Sequence, residues 1–348
     1  MSPKIAVFGL LALSASRLTT CRSPGETGGD ASAGRSDKVV ALKGIDTSAL
    51  TARERADWSG AVSENLSPCT DQPVSLEQCV NESRACAACE PAARYLVEQV
   101  KRGRTRTQVD AAYRARFGAD QLKTIDIGDS PSKGPPNAPV VIVEFADFEC
   151  PACADKRPLL DKLVEEHAGK IRLVFKNYPL AMHQHAEKAA RAGVAAHRQG
   201  KFWQLHPLLF ENQTDLSPGN IEKLAQKAGV DLARFRQDRD SEATADVVMR
   251  DRKQGEALNI DSTPSLFING RKFPASPEFD QDLEDWLKLE FELTRAGSAK
   301  AAAPAPSASA AAAPSVSAAA APSAAVPTPS AAAPAPSARP AASAKPSP

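Results

Sequence analysis

The sequence predicts an α/β domain with a helical insertion, preceded by a small α-helical domain that contains cysteines. Three observations predict it. A β-branched, almost wholly apolar run from Val140 to Phe145 leads directly into a C-x-x-C pair, Cys150 and Cys153. Extended patterning returns only after a long helical block, at Ser265 to Ile268. Upstream, Cys69, Cys79, Cys86 and Cys89 sit among short stretches of helical periodicity.

The chain has 348 residues, but its bulk composition misleads. From Gly297 onward it is almost only Ala, Pro and Ser, and 297–348 reads as a disordered tail, since the prolines preclude a continuous helix and nothing there can build a core. The folded part is still long enough to bury a sizeable core. A net charge of +1 and the lack of a basic, aromatic-interleaved patch argue against a nucleic-acid partner. No Gly-rich phosphate loop occurs, and no cofactor or metal is called for.

Residues 1–21 read as a signal peptide: Lys4 precedes an apolar run from Ile5 to Leu13 that is too short to span a bilayer. The segment Leu18-Thr19-Thr20-Cys21 resembles a bacterial lipobox, which makes Cys21 the lipidation candidate and implies a lipid anchor to the membrane. Arg17 and Thr20 depart from the usual pattern, so ordinary cleavage is the competing reading. Residues 22–44 read as a flexible tether. With Cys21 set aside, the remaining six of the seven cysteines form an even number, as expected of an exported protein.

Residues 45–118 form the expected helical cysteine domain. Leu50, Trp58, Val62 and Leu66 recur at helical spacing on a first helix. A second helix is expected after Glu90-Pro91, through Tyr95, Leu96 and Val100 to a stop at Gly103, and a third over 107–117 before Gly118. Three short helices bury little surface, so cross-links there make physical sense. A turn-rich linker, 119–138, leads to the main domain at 139–296.

In that domain Val140 to Phe145 reads as a buried central strand. Pro151 to about His167 reads as a helix, Ile171 to Phe175 as a second strand, and His185 to about Arg252 as a helical block broken at Gly200, Pro218 and Gly229. Ser265 to Ile268, the turn signal Asn269-Gly270 and Arg271 to Phe273 read as a hairpin, followed by a last helix carrying Phe279, Leu283, Trp286, Leu287 and Leu289. Strand, helix, strand, helical block, strand, strand, helix is the order of a thioredoxin fold with a helical insertion.

A dithiol switch needs two sulfurs within bonding distance, one of them activated. Cys150 falls at a helix N-terminus, where free amides and the dipole favour a thiolate, and Pro151 suits the first helical position. Cys150 is therefore the candidate nucleophile and Cys153 its resolving partner. Zinc knuckles and structural disulfides share the spacing, but no second C-x-x-C lies in this domain to complete a zinc site.

The stretch from Val141 to Cys153 resembles the DsbA-like thioredoxin superfamily, particularly its exported bacterial members. So do Leu173 to Leu180 with His183, the run Gln199 to Trp203, and Ser262 to Gly270, in the same order. The resemblance implies a thiol–disulfide oxidoreductase. It makes Pro264 the cis-proline that faces the active cysteines, with Thr263 before it close to Cys150, and Glu144 the buried acid that relays protons to and from Cys153. A trans proline entering a strand and a partly exposed strand end are the bland alternatives for Pro264 and Glu144. Strongly oxidising relatives carry a histidine between their cysteines; Ala152 offers no such charge, and Asp147 and Glu149 are expected to repel a thiolate. A milder oxidant follows. His183 and His185 lack ligand partners at metal spacing, and Phe202, Trp203 and Phe210 read as helix core rather than a binding box.

Cys69, Cys79, Cys86 and Cys89 admit three readings: two structural disulfides of unknown connectivity, a second redox pair, or a four-Cys zinc site. The module weakly resembles CcmH-type cytochrome c maturation modules, but its C-x-x-C is displaced to the next helix. Expected partners are client proteins with thiols or disulfides and a redox partner. Competing functions are a thiol reductant in cytochrome c maturation and a non-catalytic client-binding envelope lipoprotein.

Overall fold

The structure is a computed structural model that describes residues 39–302. The signal segment with Cys21, most of the tether and nearly all of the tail lie outside the described residues. The described residues belong to one compact unit.

The N-terminal part is built from four helices. α1 (Ala52–Glu64) opens on a reciprocal cap, in which the Thr51 side chain accepts from the Glu54 amide and the Glu54 carboxylate accepts from the Thr51 amide. α2 (Leu76–Asn81) is a short helix that the apolar periodicity does not reveal. α3 (Cys89–Lys101) and α4 (Arg106–Phe117) follow, the latter capped by Thr105 and Gln108. Trp58, Val62, Leu76, Leu96 and Val109 form the core, joined by Val40 and Leu42 from the segment read as tether. Leu66 departs from expectation: the chain turns extended at Asn65, and Leu66 is 63% exposed.

The cysteines of this module are paired as Cys69–Cys86 and Cys79–Cys89. Of the three readings, the structure adopts two disulfides, and neither joins the two cysteines of the local C-x-x-C. So bonded, these sulfurs offer no thiolate to a metal.

The second part begins with β1 (Ser132–Lys133), a two-residue strand inside the stretch read as linker. β2 (Val140–Ala146), α5 (Pro151–Glu166) and β3 (Ile171–Asn177) make a parallel β-α-β unit, with Val140 opposite Ile171 and Ala146 opposite Asn177. The helical block resolves into α6 (Ala186–His197), α7 (Phe202–Glu211), α8 (Pro218–Lys227), α9 (Leu232–Asp240) and α10 (Glu242–Ala257). β4 (Ser265–Ile268) and β5 (Arg271–Lys272) form a hairpin whose two loop residues, Asn269 and Gly270, have φ of 46° and 78°. That is the left-handed pair a two-residue hairpin needs, and Asn-Gly supplies it at least cost. The five strands run in the order β1-β3-β2-β4-β5, with β2 and β3 parallel and every other pair antiparallel. This is the thioredoxin fold with a helical insertion.

Alternation along the strands separates the two faces of the sheet. Val140, Ile142, Leu173, Leu266 and Ile268 pack under α5 and the last helix, while Val143, Phe145, Val174 and Phe267 pack on the other face. Lys176 is buried at the end of β3 because its ammonium donates to Asp251 of α10 at 3.1 Å.

α11 (Phe279–Ala302) runs a few residues beyond the Gly297 boundary expected for the tail. It serves both parts. Leu283, Trp286 and Leu287 enter the core under the sheet, while Leu289 enters the core of the helical module. Glu290 accepts from Arg116 of α4 at 2.7 Å, from Trp286 Nε1 at 3.1 Å and from Asn269 Nδ2 at 2.9 Å. Arg102 and Arg104 both reach Asp282, and Arg102 also reaches Asp285.

Candidate functional site

β2 delivers the chain to the site and α5 holds it. Cys150 is the N-cap residue of α5 and Pro151 its first residue, where a missing amide hydrogen costs nothing. The Cys150 carbonyl accepts from the amides of Cys153 and Ala154 at 3.1 and 3.2 Å, so both sulfurs project from one helical turn. Both cysteines are reduced and buried, Cys153 completely.

The two thiols are driven apart electrostatically. Cys150 is lowered from an ordinary 9.0 to about 5, first by the hydrogen bond it receives from Cys153, then by Thr263 and by the amides of Cys153 and Ala152. Cys153 is pushed far up, first by burial, then by its bond to Cys150 and by the nearby Glu144 carboxyl. One sulfur is therefore an anion at neutral pH and the other holds its proton.

Glu144 lies on the α5 side of β2, opposite Phe175 and Leu266. It is almost fully buried, and burial raises it from 4.5 to about 8, with Asp161 adding repulsion. It stands close enough to Cys153 to affect that thiol's ionisation.

The Thr263-Pro264 peptide bond is cis, and Thr263 lies against Cys150. The Cys150 thiol donates to the Thr263 carbonyl at 3.3 Å. The buried Thr263 hydroxyl has no formal hydrogen bond of its own, and it favours the Cys150 thiolate.

The Asp147 and Glu149 carboxylates are both engaged in hydrogen bonds within the loop and its neighbours, and five other influences head those acting on Cys150. Asp147 accepts from the Glu149 amide at 2.8 Å, the Leu180 amide at 2.8 Å and His183 Nδ1 at 2.7 Å. Glu149 accepts from the His185 amide at 2.6 Å. His183 thus braces the loop before Cys150, and His185 contributes its backbone.

Gln213 carries no sequence signal yet touches the site directly. From the turn between α7 and α8, its Nε2 donates to the carbonyls of Phe148 and Cys150 at 2.7 and 2.8 Å. Phe148 packs with Phe175, Phe202, Phe210 and His206, so the aromatics of the insertion form a floor beneath the loop. Burial lowers His206 to about 3, which keeps it neutral within that floor. Trp203 is only partly buried, and its indole donates to the Ser132 carbonyl at 2.9 Å.

Residues 127–288 match the family described as thioredoxin. The chain is 34% identical over 165 residues to the Na(+)/H(+) antiporter NhaA 3 of Salinispora tropica, a match that covers 46% of this chain and 25% of that protein. The chain thus spans about a quarter of the length of that curated relative. Among solved structures, BdbD from Bacillus subtilis in its oxidised form is 26% identical, covering 49% of this chain and 97% of that one, with a TM-score of 0.44. A thioredoxin-like oxidoreductase from Silicibacter pomeroyi is 25% identical, covering 50% and 94%, with a TM-score of 0.42. Among the described residues no helix is long and apolar enough to cross a membrane. The stretch that matches the thioredoxin family carries the Cys150 and Cys153 pair, the cis Pro264 and the buried Glu144.

Proposed function

We propose that the protein is an exported oxidoreductase that exchanges disulfides with client proteins through a mixed disulfide at Cys150. The observation that carries this reading is the divergence of the two thiols: Cys150 is lowered to about 5 while Cys153 is strongly raised. In the oxidised enzyme a client thiolate attacks Cys150 Sγ, the Cys150–Cys153 bond breaks, and Cys153 leaves as a thiolate. Glu144, raised to about 8, holds a proton at neutral pH and hands it to that unstable anion. A second client thiolate then attacks its own sulfur in the mixed disulfide. Cys150 leaves as a stable thiolate, and the client is oxidised by two electrons.

A stable Cys150 thiolate favours the reduced enzyme and hence the direction of client oxidation. The value of about 5 falls between about 7 for thioredoxin and about 3.5 for DsbA, in keeping with the lack of a charged residue at Ala152. Pro264, beside the cysteines, offers backbone to an extended client segment. The signal-like N-terminus, the lipobox at Cys21 and the two disulfides of the helical module support an envelope location with a lipid anchor.

Insulin-reduction and dithiol-oxidation assays of wild type beside Cys150→Ser test the proposal. Loss of both activities in the variant is expected. Equal activity would leave only a client-binding role.

A further inference from the structure

Three sulfurs of the helical module converge although they belong to two different disulfides. The Sγ atoms of Cys79, Cys86 and Cys89 all lie within 4.8 Å of one another, while the bonds run Cys69–Cys86 and Cys79–Cys89. The same three cysteines line an open cleft of about 730 Å³, together with Arg84, Pro91 and Glu292. Cys69 stands outside this group and is the most exposed of the four. The local backbone shares one hydrogen bond with the main site. Cys89 is the first residue of α3, and its amide donates to the Cys86 carbonyl at 3.3 Å, as the Cys153 amide does to Cys150 at 3.1 Å.

From this geometry we propose that the four cysteines form a second thiol–disulfide exchange centre, whose half-reduced form carries its remaining disulfide between Cys86 and Cys89. The reductant is a dithiol, presented by a partner protein or a small molecule. Its first thiolate attacks the partly exposed Cys69 Sγ; the Cys69–Cys86 bond breaks and Cys86 leaves as a thiolate in the loop that precedes α3. Cys86 then attacks Cys89 Sγ, forming Cys86–Cys89 and expelling Cys79 as a thiolate, which takes a proton from water at the cleft. The second thiolate of the reductant attacks its own sulfur in the mixed disulfide with Cys69 and releases Cys69, which is protonated. In sum, one dithiol becomes a disulfide, and two protein disulfides become one disulfide and two thiols.

The test uses the full chain with Cys150→Ser and Cys153→Ser, so that the main site cannot contribute. In that background Cys69→Ser frees Cys86, and Cys79→Ser frees Cys89. Acid-trapped disulfide mapping by mass spectrometry is expected to find Cys86–Cys89 in both variants. Limited reduction of the four-cysteine parent with a small dithiol is expected to give the same bond, with Cys69 and Cys79 alkylated. The proposal is overturned if each variant keeps its remaining original disulfide beside a free thiol. It is equally overturned if the parent loses both disulfides without passing through Cys86–Cys89. Should a variant fail to fold by circular dichroism, the parent alone decides.

Discussion

The Cys150 sulfur lies 3.3 Å from the carbonyl oxygen of Thr263, while the hydroxyl of the same threonine favours the ionised sulfur. The carbonyl accepts a proton-bearing thiol, and the hydroxyl favours a thiolate, so one residue meets both protonation states of the nucleophile. The balance is tipped by Cys153, whose hydrogen bond is the largest influence on Cys150.

Cys153→Ala should therefore raise the Cys150 titration from about 5. A hydrogen bond to a charged group contributes about 1.5–3 kcal/mol, which corresponds to a rise of about one to two pH units. Ultraviolet thiolate absorbance against pH measures it. An unchanged midpoint would assign the stabilisation to Thr263 and the helix amides.

The same shift makes the stability of the reduced protein depend on pH. Folded Cys150 ionises near 5 and the unfolded thiol near 9.0, so the stabilising contribution is complete above about 9 and is lost as pH falls toward 5. The oxidised protein has no thiol at this position to titrate. The difference in melting temperature between reduced and oxidised protein should thus shift in favour of the oxidised form between pH 9 and pH 5. A difference independent of pH across that window would refute the depressed value.

Glu144 has the opposite sign. Its folded value is raised from 4.5 to about 8, so the folded state retains a proton that the unfolded chain has released, and stability drains away as pH rises across that interval. Glu144→Gln should flatten this slope and raise the melting temperature above pH 8. It should also slow formation of the Cys150 mixed disulfide, about 10²-fold, because glutamine hands no proton to the departing Cys153 thiolate. Trapping the Cys150 mixed disulfide over time reads that rate; normal formation in the variant would end the relay assignment.

Gln213 ties the insertion to the loop through two carbonyls. Gln213→Ala should destabilise the protein by about 1–2 kcal/mol, measured by urea unfolding. The titration of Cys150 should move as well, since its carbonyl caps α5. Loss of stability with an unmoved titration would leave Gln213 a purely structural tie.

The sequence showed the centre of this molecule and concealed its edges. β2 and β3 were legible because central parallel strands read as apolar runs, and the hairpin because Asn269-Gly270 has few other uses. β1 and α2 were not, since two and six residues are too short for any period to register. At the site, Cys150, Cys153 and Glu144 stood out by chemistry against an apolar background. Gln213 did not: an amide in a polar turn looks like any other until the fold brings it to the Cys150 carbonyl. The hydrogen bonds of Asp147 and Glu149 were hidden for a related reason, because sequence proximity does not say which way a carboxylate faces. The pairing of Cys69 with Cys86 depended on how α2 turns back toward α3, which four cysteines alone cannot encode.

α11 closes two cores at once, with Trp286 in one and Leu289 in the other. A chain is made from its N-terminus, so among the described residues this helix is the last element to be synthesised. The helical module, though completed early, therefore waits through the synthesis of the entire α/β layer before Leu289 and Glu290 arrive to seal it. Its four cysteines meet any oxidant while one wall of their core is still missing, and the choice among their three pairings is made, or corrected, before the structure is shut.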